Sequence, residues 1–196
     1  MPYQDLLEIG EPFFSKEEVA RTLRISRNSA GVLCTRYVKK GLLTRLKRDV
    51  YARTETLRNL QEMDLFRIAN FFQVPSYISL TTALSYHGMT TQVQRNVFES
   101  ICIKRSKTFH RGGFVFRYIK IDPKLYAGFE REKGVFMASP AKAVMDCFYL
   151  ASMGRYPLDV SSLDLSRLDS RAINQVMKIY PSRTVECFKS HYEKTR

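Results

Sequence analysis

Residues 26–39 bring together side chains of the types that read DNA. Asn28 can pair bidentately with adenine, Val32 and Thr35 can touch a thymine methyl, and Arg36 can reach guanine or a phosphate. At 100° per residue, Asn28, Val32, Thr35, Arg36 and Lys39 fall opposite an apolar stripe of Ala30, Leu33 and Tyr37. Ser26, Arg27 and Ser29 stand at the start of the same helix, the end that meets base edges when a recognition helix enters the major groove. Arg45, Lys47 and Arg48 follow on a hairpin and suit phosphates or a minor-groove edge. The competing reading is a helical hairpin with a solvated basic face.

Catalytic chemistry is harder to find. No glutamate has a lysine two residues on, as a common Mg²⁺ nuclease pattern requires. Gly112-Gly113 is followed nearby by Asp122 alone, whereas a nucleotidyltransferase needs paired carboxylates to hold its metal. No P-loop is present. Cys34, Cys102, Cys147 and Cys187 are scattered, as are His87, His110 and His191, so neither a metal site nor a cofactor is expected. His87 and Asp146 are the best catalytic candidates. His87 equally suits a helix C-terminus, and Asp146 a bond to nearby backbone or an arginine. The sequence therefore predicts no catalytic residues.

These side chains need elements to place them. Ser15 and Glu18 form an S-x-x-E capping box, Val19, Ala20 and Leu23 give that helix its inner face, and Ile25 plugs a turn. Ser26 caps the second helix and Gly41 stops it. Leu42–Leu46 and Val50–Arg53 read as strands around Lys47-Arg48-Asp49. Residues 2–9 are expected to form a short helix, with Tyr3, Leu6, Leu7 and Ile9 covering the back. The outline is a winged helix-turn-helix over 1–56.

The remainder, 57–196, reads as a larger α+β domain of a small sheet covered by helices. A connecting helix over 57–72 opens it, with Leu65, Ile68, Ala69 and Phe72 on one face. A short strand and a helix capped by Ser79 and ended by Gly88 come next. Val97–Ile103, Phe114–Ile121 and Val135–Ala138 read as about three strands, the first two joined by a basic hairpin connection. Pro140 opens a helix, and further helices are expected near 170–179 and 183–192.

Charge supports a nucleic-acid partner. The chain has 196 residues and a net charge of +13, distributed unevenly. Residues 1–19 set Lys16 against five carboxylates, whereas residues 20–53 carry ten Lys/Arg against Asp49 alone. A concentrated basic segment within a folded motif favours nucleic acid over a membrane surface. A second basic stretch holds Arg95, Lys104, Arg105, Lys107, Arg111, Arg117, Lys120 and Lys124, interleaved with Phe109, Phe116 and Tyr118. It reads either as a strand edge protected by charge or as a second binding surface for nucleic acid or an acidic partner. The N-terminus lacks a signal pattern and no apolar run approaches a membrane span, so a cytoplasmic, membrane-free protein with free thiols is expected.

Three segments, GLLTRLKRDVYA at 41–52, PSYISLTTALSYHG at 75–88 and ASPAKAVMDCF at 138–148, occur in an order that resembles the AbiEi-type antitoxins of bacterial toxin–antitoxin systems. Asp49 stands where glycine is usual in that hairpin, and Lys142 where arginine is usual. The resemblance implies a winged helix that represses its own operon at promoter repeats, with DNA contacts over Ser26–Lys39 and Arg45–Arg48. It also implies a second domain that counters a nucleotidyltransferase-like toxin in an abortive-infection type system, without a stable complex. A monomer in solution is expected. The alternatives are a transcriptional regulator whose C-terminal domain binds a ligand or protein, and a nucleic-acid enzyme using the second basic stretch.

Overall fold

The computed structural model describes residues 2–193. These residues form an α+β chain that divides into two compact units, Met1–Ile68 with His110–Phe114, and Ala69–Phe109 with Val115–Arg196.

The first unit opens with α1 (Pro2–Asp5) and a 3₁₀ turn, Leu6–Glu8. Leu6 and Ile9 are buried but Leu7 is exposed, so the N-terminal segment presents a narrower apolar face than the sequence predicts. β1 (Phe14–Ser15) leads into α2 (Lys16–Thr22), where both halves of the Ser15/Glu18 capping box form. Arg24 sits at φ +52, the left-handed region in which a side chain strains the turn. α3 (Arg27–Lys39) starts at a Ser26 cap and ends before Gly41 at φ +71. β2 (Leu43–Lys47) and β3 (Val50–Arg53) pair antiparallel, and β1 adds to β3 in the order β1-β3-β2. The sequence does not announce β1, because two residues make no period. Phe14, Val19, Ala30, Leu33, Cys34, Tyr37, Leu43 and Tyr51 close one core with Leu6 and Ile9. Arg53 ties the N-terminal segment to this sheet, its Nη1 donating to the carbonyls of Leu6 (2.9 Å) and Ile9 (3.2 Å).

The expected 57–72 helix is two helices, α4 (Thr54–Arg58) and α5 (Glu62–Phe72). Asn59 leaves helical geometry at φ −115 between them. Leu65, Ile68, Ala69 and Phe72 are buried.

The second unit accounts for most of a mixed sheet of six strands, more than the sequence suggests, in the order β6-β7-β5-β4-β9-β8. Its elements are β4 (Ser76–Ile78), α6 (Leu80–Tyr86), β5 (Val97–Cys102), β6 (Lys107–Arg111), β7 (Phe114–Lys120), β8 (Phe129–Glu132), β9 (Val135–Ala138), α7 (Pro140–Ser152), α8 (Ser170–Met177) and α9 (Ser182–Tyr192). β5 and β7 run parallel, so the basic stretch between them is no hairpin connection. It supplies the edge strand β6, which turns back into β7 through Gly112 and Gly113. Their φ angles of +59 and +84 suit a tight two-residue turn. α7 is buried along almost its whole length, with α6, α8 and α9 packed on it.

Candidate nucleic-acid interface

The α3 surface is built by its two ends. The Ser26 hydroxyl accepts the Ser29 N–H (3.1 Å), which fixes where the helix begins. The inner stripe of Ala30, Leu33, Cys34 and Tyr37 is buried, and burial pushes the Cys34 thiol up to about 11. Rotation is thereby set, and Asn28, Val32 and Arg36 come out as an exposed ridge at i, i+4 and i+8. Val32 is 71% exposed, a large aliphatic left in solvent in the middle of the ridge.

Grooves run along both sides. One is lined by Leu23, Ile25 and Ser29, and the other by Lys16, Gly31, Thr35 and Lys39, with the ridge residues common to both. Gly31 leaves the second groove open at its side, since no atom lies within 4 Å of where its Cβ would be. Some expected contact groups have local duties. The Thr35 hydroxyl donates to the Gly31 carbonyl (2.9 Å), so its proton is spent within the helix. Arg27 pairs with Glu17 at 2.5 Å.

The β2–β3 hairpin presents Arg45, Lys47 and Arg48, all exposed. A register shift between Arg45 and Lys47 makes Leu46 an extra residue, buried at 2%. Asp49 adopts φ +62 at the turn, the conformation for which glycine is the usual choice. Its carboxylate meets Lys16 Nζ at 2.9 Å, and that hydrogen bond holds it below the usual carboxylate range. The Lys16 N–H donates to the Asp49 carbonyl, so the turn is also pinned through the backbone.

The second basic stretch is dispersed. Arg95, Lys104, Arg105, Lys107 and Lys120 are exposed. Arg117 is committed to Glu99 (3.2 Å), and Lys107 Nζ lies 4.4 Å from the centroid of the Phe109 ring. Phe116 and Tyr118 are buried, and Phe109 stacks on Phe72, so these three aromatics pack the core rather than await bases. Arg111 belongs instead with the first unit, where its Nε donates to the Leu46 carbonyl (3.3 Å).

The two catalytic candidates are both engaged. His87 Nε2 donates to the Ala138 carbonyl (2.9 Å). Asp146 is fully buried and bonds neither backbone nor arginine. Its Oδ1 accepts from Lys142 Nζ (2.6 Å) and Tyr180 (2.7 Å), its Oδ2 from Ser79 (2.8 Å) and Tyr77 (3.0 Å). Ser79 therefore gives its hydroxyl to Asp146 instead of capping α6. Burial pushes the Lys142 ammonium down, with Asp146 opposing, and pushes the Tyr77 and Tyr180 phenols up. Sequence reasoning missed this cluster because three of its partners lie 34–69 residues from Asp146.

No protein-family model matches the chain, and no curated protein does. Among solved structures, the fold is shared with RV2827C. That protein, from Mycobacterium tuberculosis, matches with a TM-score of 0.65 over 98% of this chain and 75% of its own. Identity to RV2827C is 10%, so the likeness is one of fold. Among the described residues, no cluster of His, Cys, Asp or Glu could hold a metal ion, and no helix is long and apolar enough to cross a membrane.

Proposed function

We propose that the first unit is a winged helix-turn-helix that binds double-stranded DNA, with α3 as its recognition helix and the β2–β3 hairpin as its wing. The observation that carries this reading is the Asn28–Val32–Arg36 ridge. It combines an adenine-reading amide, a methyl-seeking aliphatic and a cation on one solvent-facing line, with Lys39 beside them. Arg45, Lys47 and Arg48 supply the sequence-independent grip.

On the resemblance of the 41–52, 75–88 and 138–148 segments to the AbiEi-type antitoxins, the protein is an antitoxin that represses its own operon. Its second unit counters a nucleotidyltransferase-like toxin without forming a stable complex.

One substitution separates the two activities in the full-length chain. Asn28→Ala should cost about 1–3 kcal/mol on the preferred site and little on scrambled DNA. In cells it should relieve repression of a promoter fusion while still protecting growth when the neighbouring toxin gene is induced. Equal losses on both duplexes would remove Asn28 from readout. Failure of the unaltered protein to protect would dismiss the antitoxin role and leave the DNA role standing.

A further inference from the structure

We propose that Arg111 is a phosphate contact of the DNA-binding surface, sharing a groove with Arg45, Lys47 and Arg48 although it follows them by more than sixty residues. This rests on the DNA reading above and adds a residue that neither the recognition helix nor the wing contains.

The groove is lined by four cations and no carboxylate. Its occupant is a backbone phosphate of bound duplex, since the hairpin that forms the rest of the lining is the proposed wing. Arg111 is exposed, yet it is held from two sides. Its Nε donates to the Leu46 carbonyl (3.3 Å), and its Nη1 to the carbonyl of His110 (2.7 Å). A guanidinium has five N–H groups, so three remain to meet phosphate oxygens. The next residue is anchored as well: a Cβ on Gly112 would stand 3.0 Å from Leu57 Cδ1, at a φ of +59 that side chains resist. The bulge at Leu46 acquires a purpose in this arrangement. The extra residue turns its side chain into the core and offers its carbonyl to Arg111. A guanidinium fixed beside a basic wing is pre-organised for an anion, which an arginine loose on a surface is not.

Backbone contacts do not depend on base sequence, so a mixed-sequence duplex of about 30 base pairs, roughly three turns, is a sufficient ligand. Binding of the full-length protein would be followed by fluorescence anisotropy at several salt concentrations. Arg111→Gln should weaken binding several-fold and make the slope of log affinity against log salt shallower by about 0.9. Arg111→Lys, which keeps the charge, should restore the slope. Arg45→Gln serves as the comparison within the same groove. Three results would overturn the proposal. Arg111→Gln could leave the slope unchanged while Arg45→Gln reduces it. Arg111→Lys could lose as much slope as Arg111→Gln, which would leave Arg111 only a positioning role for the turn. Absence of duplex binding by the unaltered protein even at low salt would remove the DNA reading itself, and this contact with it.

Discussion

The ionisation of Glu99 is balanced between its burial and its neighbours. The residue is wholly buried on β5, and burial raises its carboxyl above the ordinary 4.5. Tyr156, donating at 2.7 Å, and Arg117 at 3.2 Å pull the other way. A carboxyl raised in the folded state binds more protons there than in the unfolded chain. Its contribution to stability is therefore full below pH 4.5 and is lost as pH rises through its folded value. Glu99→Gln cannot ionise, so relative to the unaltered protein it should gain stability as pH is raised from 4.5 towards neutrality. Urea titrations at a series of pH values would show it, and a constant difference between the two proteins would refute it. Asp49 makes a contrasting residue-scale point. Its type permits a left-handed turn without announcing one, and the pairing with Lys16 that secures it lies 33 positions upstream, beyond any local reading.

At the scale of elements, α7 is organised around one carboxylate. Asp146 accepts from four donors, whereas Lys142 supplies one of the four. Asp146→Ala takes the acceptor from two phenols, a hydroxyl and an ammonium in a buried site, and leaves the ammonium only its bond to the Tyr180 hydroxyl and no counter-charge. It should cost about 3–5 kcal/mol or more. Lys142→Met keeps the volume and leaves three donors on Asp146, so it should cost clearly less. Chemical denaturation compares them directly, and a Lys142→Met protein as unstable as Asp146→Ala would refute the ranking. The elements also show what a sequence discloses. Helices α2, α3 and α7 were legible because their caps and stripes are written within a few residues of each other. The β5/β7 pairing was not, since a parallel register is invisible in a stretch that reads locally as a basic turn. β8 also escaped, because its residues, FERE, lie on an exposed edge with no apolar alternation to report them. The α3 ridge was legible from helical spacing alone, but the place of Arg111 was not, because only the folded chain shows which unit it joins.

For the whole molecule, the discontinuity of the first unit carries a consequence for how the chain is made. Synthesis runs from the N-terminus, and the first unit lacks its His110–Phe114 segment until 46 residues beyond Ile68 have been added. At ~5–20 residues per second that is a wait of roughly 2–9 s. During it, Leu57 has no Gly112 to pack against and the Leu46 carbonyl no Arg111. Two truncated chains, one ending at Ser106 and one at Ile121, bracket the event, since both lack most of the second unit and they differ in this segment. Protease should cut the hairpin region of the shorter chain faster, and equal resistance would show that the segment adds nothing to it. If α3 reads DNA as proposed, the nascent first unit is a half-finished reader, acquiring Arg111 only after the ribosome has moved well into the other unit. A chain cut short before residue 110 would carry α3 and the β2–β3 hairpin but lack Arg111 beside them.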